Sequence, residues 1–125
     1  MTTRILRDPK AIKVVAEVEP LRQVVIDMFE LIKPFYSRQT AAYTTTGAAA
    51  LEIVEVDSSS SVTVSLHISP KDGAQIIVKR MGTGAVVVNT VGAETIDGSA
   101  TKTIANRYDA LRVVYLDAAS EYVVI

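Results

Sequence analysis

Cysteine is absent from this 125-residue chain, which excludes a disulfide framework and any thiolate metal site. Tryptophan is absent too, and histidine occurs once, as His67. One imidazole without a thiolate leaves only oxygen ligands for a metal, and Asp57, Asp72, Asp97 and Asp117 stand in loops without EF-hand spacing. No metal and no other cofactor is therefore expected. An excess of charge of one sign is also missing: 13 basic and 14 acidic side chains are scattered without runs and leave a net charge of −1. That balance lacks the basic footprint of a nucleic-acid partner. No run approaches the roughly 20 apolar residues that span a bilayer, and Met1–Pro9 has no signal-peptide apolar region, so synthesis in the cytoplasm without membrane insertion is expected.

A catalytic constellation is equally hard to assemble. His67 falls on the polar face of the strict alternation Val62-Thr63-Val64-Ser65-Leu66-His67-Ile68, where a hydrogen-bonded strand histidine is the simple reading. Glu52 and Glu55 are three residues apart on a strand and so lie on opposite faces. Gly82-Thr83-Gly84 lacks the third glycine of a phosphate loop and runs into a Val-rich strand, which leaves a turn. The chain reads as a non-enzyme.

What is present is a change of period. Leu21, Val24, Met28, Leu31 and Phe35 recur at steps of 3, 4, 3 and 4, the a/d spacing of helices that wrap around one another. Glu19-Pro20 supplies a helix start, with Pro20 where a missing N–H costs nothing, and Pro34 supplies a stop. Two heptads make a marginal coiled coil, so a second element must help hold the copies together. The competing reading is an amphipathic helix laid on its own sheet, its face widened by Val25 and Ile32.

Beyond residue 41, β-branched segments recur between turn signals, the pattern of an antiparallel sandwich or barrel. Ala50–Val56, Val62–Ile68, Ala74–Arg80, Ala85–Val91, Thr101–Ile104, Ala110–Leu116 and Glu121–Ile125 are the expected strands. Met81–Gly84 could join two of them as a hairpin, Asp97-Gly98 is a tight turn, and the last two strands form a terminal hairpin. The expected fold is mainly β: an antiparallel, jelly-roll-like sandwich head over residues 41–125, a helical oligomerisation stem over 19–36 and a docking arm over 1–18. Tyr36, Tyr43, Tyr108, Tyr115 and Tyr122 offer ring faces suited to sugars, and the loop carrying Arg107, Tyr108 and Asp109 is the most plausible recognition patch.

The stretch Gly92-Ala93-Glu94-Thr95-Ile96-Asp97-Gly98-Ser99-Ala100-Thr101-Lys102-Thr103-Ile104, followed by Tyr108–Asp117 and Glu121-Tyr122-Val123-Val124-Ile125, resembles a terminal β-unit common in structural proteins of tailed bacteriophages. Those units combine a T-I-(N/D)-G turn, a Thr-rich strand, a Y-x-x-(L/V)-x-(L/V) strand and an aromatic-bearing last strand. This chain has Glu121-Tyr122 where the common form often carries tryptophan, and Ala118-Ala119-Ser120 in place of a Gly-containing turn. The resemblance implies a homotrimer in the virion, a tail fibre or needle component that contacts other virion proteins (tail, portal or capsid) and a host surface glycan. A capsid decoration protein clamping neighbouring shell subunits is the alternative.

Overall fold

A computed structural model describes residues 33–125. Ten strands run in the order β1 (Phe35–Gln39), β2 (Tyr43–Thr44), β3 (Leu51–Val56), β4 (Val62–Leu66), β5 (Gln75–Arg80), β6 (Val86–Thr90), β7 (Thr95–Ile96), β8 (Thr101–Ile104), β9 (Ala110–Leu116) and β10 (Glu121–Val124). Up to β8 the chain alternates between two sheets. One is ordered β1-β3-β5-β9-β10-β7 and the other β2-β4-β6-β8.

This alternation makes the β1-β3-β5 and β2-β4-β6 pairings parallel. The expected antiparallel sandwich is thus corrected to a solenoid-like coil. Parallel neighbours need a long crossover, usually a helix; here the strand of the opposite sheet is the crossover. Leu51 pairs with Gln75 and Val62 with Val86, so one full turn of coil takes 24 residues. Segments 51–74 and 75–98 keep Ile53/Ile77, Val54/Val78, Val62/Val86 and Val64/Val88 identical. The expected β5–β6 hairpin is likewise corrected, because those strands lie in different sheets.

The core forms where both sheets turn their alternate residues inward. Val54, Val56, Ile76, Val78 and Val113 meet Val62, Val64, Leu66, Val86, Val88 and Ile104. Removal of this β-branched surface from water is the main stabilising term. Ile68, expected on the same face as Leu66, is instead 62% exposed, because β4 ends at Leu66.

The turns stack as well as the strands. Gly82 N–H donates to Val56 O at 3.3 Å and Gly84 N–H to Ser58 O at 2.8 Å. A Cβ on Gly82 would run into the Ser58 backbone, and one on Gly84 into that of Ser60. Glycine is needed there for close approach of two backbones.

The coil ends in antiparallel pairing. β8 pairs antiparallel with β6; the last two strands form the expected antiparallel hairpin, β9–β10, which lies between β5 and β7. Its turn is a short 3-10 segment, Asp117–Ala119, closed by Ser120 at φ 51°. Tyr115 and Tyr122 face each other across the hairpin with ring centroids 5.1 Å apart.

The stem is corrected at its C-terminal end: Phe35 and Tyr36 are strand residues, paired with Glu52 and Ile53. Leu21, Val24, Met28 and Leu31, the arm over 1–18 and the remainder of the stem up to residue 32 lie outside the described residues.

Candidate functional site

Arg107, Tyr108 and Asp109 occupy the loop between β8 and β9. This loop is fastened to the end of β5. Tyr108 N–H donates to Arg80 O at 2.8 Å, and Arg80 N–H donates to Asp109 O at 3.0 Å. The Lys79 ammonium also donates to Tyr108 O at 2.5 Å. Arg107 Nε donates to Met81 O at 2.9 Å, which brings its guanidinium 4.8 Å from the Tyr108 ring centroid. Asn106 Nδ2 donates to Asp109 Oδ2 at 3.3 Å.

Tyr108 holds φ 72° and remains 55% exposed. A left-handed non-glycine residue costs roughly 1 kcal/mol or more, here offset by the two backbone hydrogen bonds to Arg80. The result is a fixed aromatic ring with a cation over it and a carboxylate beside it. Such a surface offers a ring face for stacking and charged groups for hydrogen bonds.

Beneath this loop lies Arg80, a buried cation whose partners are all backbone carbonyls. Nε donates to Gly82 O at 3.2 Å, Nη2 to Thr83 O at 2.6 Å, and Nη1 to Ile104 O at 3.2 Å as well as to Ala105 O. The rigid guanidinium fork thereby ties the β5–β6 turn to the end of β8 and sets the base of the 105–109 loop. Its inward placement was readable from strand parity with Ile76 and Val78.

A second polar cluster, not singled out in the sequence, carries the same parity signal. Glu52 shares the inward parity of Val54 and Val56 and is 1% exposed. Its Oε2 accepts the Tyr43 hydroxyl at 2.8 Å, while Oε1 accepts Thr46 N–H at 2.9 Å, Thr46 Oγ1–H at 3.3 Å and Gly47 N–H at 3.3 Å. A buried carboxylate is tolerated when its lone pairs are filled in this way. Glu55 faces the other side, on the outer surface, with Arg38 and Tyr36.

His67 adjoins this cluster. Its N–H donates to Thr45 Oγ1 at 2.8 Å, and its Nδ1 shares a 2.6 Å hydrogen bond with the same hydroxyl. Burial lowers the imidazole pKa from 6.5, opposed by the charges of Glu52 and Glu94. Gly47, at φ 68°, fits against the ring, where a Cβ would lie 2.7 Å from Nε2. Burial also pushes the Tyr43 and Tyr122 phenols up, Tyr122 the further.

Among the described residues, no three of His, Asp and Glu form a group able to hold a metal. The loop acids have local roles instead: Asp57 pairs with Arg38 at 3.0 Å, Asp72 accepts Asp117 N–H at 2.9 Å, and Asp97 accepts Val124 N–H at 3.1 Å. The two clusters organise loops around the ends of a short parallel coil. No protein-family model matches the chain, and no curated protein is significantly similar to it.

Proposed function

We propose that this chain is a tailed-phage virion structural protein, a homotrimeric fibre- or needle-type component. In this reading residues 1–18 attach it to the particle, and the β unit contacts the host surface or caps the assembly. Its work is binding and mechanical support, and its location is the virion.

The supporting observation is the coincidence of the phage-like stretch with the closing cap of the coil. The Thr95-Ile96-Asp97-Gly98 element is a two-residue turn with φ 47° at Asp97 and 81° at Gly98, the type I′ geometry that Asp-Gly favours. The Thr-rich strand is β8, the Y-x-x-(L/V)-x-(L/V) run begins at Tyr108 in the loop and continues into β9, and the last strand β10 buries Tyr122 completely. The motif residues therefore have a shared physical task, sealing the end of a stack of parallel strands. Sealing matters because an open strand edge invites pairing with other chains. The exposed Arg107-Tyr108-Asp109 loop sits at this capped part of the unit and is the surface offered to a host glycan.

Electron microscopy of particles from phage-producing cells, labelled with antibody to the folded β unit, tests the reading. Label at the tail or fibre tip is the expected result. Label distributed over the shell would favour the decoration protein, and absence of label from purified particles would contradict both.

A further inference from the structure

We propose that the 105–109 loop takes an acidic glycan, whose carboxylate or phosphate is held by the Arg107 guanidinium. The inference rests on the glycan contact in the proposed function and names the sugar chemistry it involves.

Arg107 is fixed before any ligand arrives. Its Nε donates to Met81 O at 2.9 Å, and its Cζ stands 4.8 Å from the centroid of the Tyr108 ring. The loop itself is fastened: Tyr108 N–H donates to Arg80 O, Arg80 N–H to Asp109 O, and the Lys79 ammonium to Tyr108 O. Both Nη groups of Arg107 are without a partner among the described residues. Asp109, two residues along, does not pair with them; its Oδ2 accepts from Asn106 Nδ2 at 3.3 Å. A guanidinium held through Nε keeps its end-on pair of N–H donors, which matches two oxygens of one carboxylate or phosphate. Fixing that fork beforehand cuts the ordering cost of binding.

The surrounding charges favour an anion. Glu55, the register partner of Lys79, and Asp57 are both engaged by Arg38, at 3.3 and 3.0 Å. Arg80 adds a positive charge that no acid offsets among the described residues, since it is 7% exposed and bonds only to carbonyls. With Arg38, Lys79, Arg80 and Arg107 set against Glu55, Asp57 and Asp109, this end of the coil keeps a net positive charge, and the surplus lies under the loop. A buried cation acts through a medium that screens it less than water does.

The sugar part of the ligand also finds partners. Turn 81–85 stacks on turn 57–61, with Gly84 N–H on Ser58 O, and Arg107 joins the loop to the first of these at Met81. Thr83 and Ser59 are exposed on the two turns, and their hydroxyls have no partner among the described residues. Tyr108, 55% exposed, keeps the ring face opposite Arg107 for stacking.

Amide NMR titration of the full chain provides the test. The probes are trigalacturonate, which carries carboxylates, glucose phosphate, which carries a phosphate, and maltotriose, which carries neither. At least one acidic probe should shift the Arg107, Tyr108 and Asp109 amides, binding about tenfold or more tighter than maltotriose and weakening as salt is added. The tighter of the two identifies the anion. Arg107→Lys keeps the charge but loses the fork and should bind that probe about tenfold more weakly. Maltotriose binding as tightly as the acidic probes, or Arg107→Lys binding them undiminished, overturns this inference and leaves glycan contact standing. Loop signals unmoved by both acidic probes overturn it as well, and the antibody label on particles then decides the wider reading separately.

Discussion

Asp97 and Val124, 27 residues apart, are joined by a 3.1 Å hydrogen bond in which the Val124 N–H donates to Asp97 Oδ1. The Asp97 N–H in turn donates to Tyr122 O at 2.9 Å, so one turn residue holds the last strand at both Tyr122 and Val124. This is the physical content of the aspartate in the T-I-D-G element.

Asp97→Asn should be nearly neutral, because asparagine tolerates positive φ and keeps an acceptor oxygen. Asp97→Val should cost about 2–3 kcal/mol, since it loses the acceptor and places a β-branched residue at φ 47°. Urea unfolding of the two variants checks the difference.

Glycine positions separate by the space around them. Gly84→Ala and Gly82→Ala should each cost about 2–3 kcal/mol, because the new methyl runs into the backbone of the preceding turn. Gly73→Ala should cost only about 1 kcal/mol, since its φ is 81° but nothing lies within 4 Å of the new Cβ. Equal losses at all three positions in thermal melts would contradict the stacked turns.

For Arg80, lysine should fail to substitute. A single ammonium cannot reach the Gly82, Thr83, Ile104 and Ala105 carbonyls together, so Arg80→Lys should lose about 3 kcal/mol and loosen the 105–109 loop. Faster amide exchange at Tyr108 and Asp109 in the variant is the accompanying signature.

At Glu52, replacement by leucine strands the Tyr43 hydroxyl and the Thr46 and Gly47 amides, and should destabilise by about 3 kcal/mol or more. Glu52→Gln keeps one acceptor and should cost less, about 1–2 kcal/mol. Chemical denaturation of both variants orders them.

His67 makes stability pH-dependent in a definite direction. Its folded pKa lies below 6.5, so the native state favours the neutral ring, and the unfolded state takes up the proton first. Stability should be level above about pH 7 and fall as pH drops through 6.5 toward the lowered folded value. The facing charges of Glu52 and Glu94 moderate this loss without reversing it. His67→Gln should flatten the decline between pH 7.5 and 5.5 in a range where carboxylates remain ionised. An identical decline in the variant would assign the effect to other groups.

Much of this structure was legible because alternation places Val62, Val64 and Leu66 inward and puts turns at Asp97-Gly98 and Gly73. Strand direction was not. Period 2 is the same for parallel and antiparallel strands, and the 24-residue offset is marked mainly by Ile53/Ile77 and three Val/Val pairs amid otherwise different residues. Phe35 fits a heptad by spacing alone, yet it lies beyond Pro34 and pairs in a strand. For the 105–109 loop, the support from Arg80 and Lys79 depends on contacts 25 or more residues away in sequence, which no local pattern displays.

The parallel coil underlies each of these arguments, and the natural absence of cysteine makes it directly measurable. Thr63→Cys with Val87→Cys, register partners on adjacent parallel strands, should give pyrene excimer emission after labelling. Lys79→Cys with Val87→Cys, which a β5–β6 hairpin would bring together, should give none, because those residues lie on different sheets. Excimer from the second pair and not the first would contradict the coil.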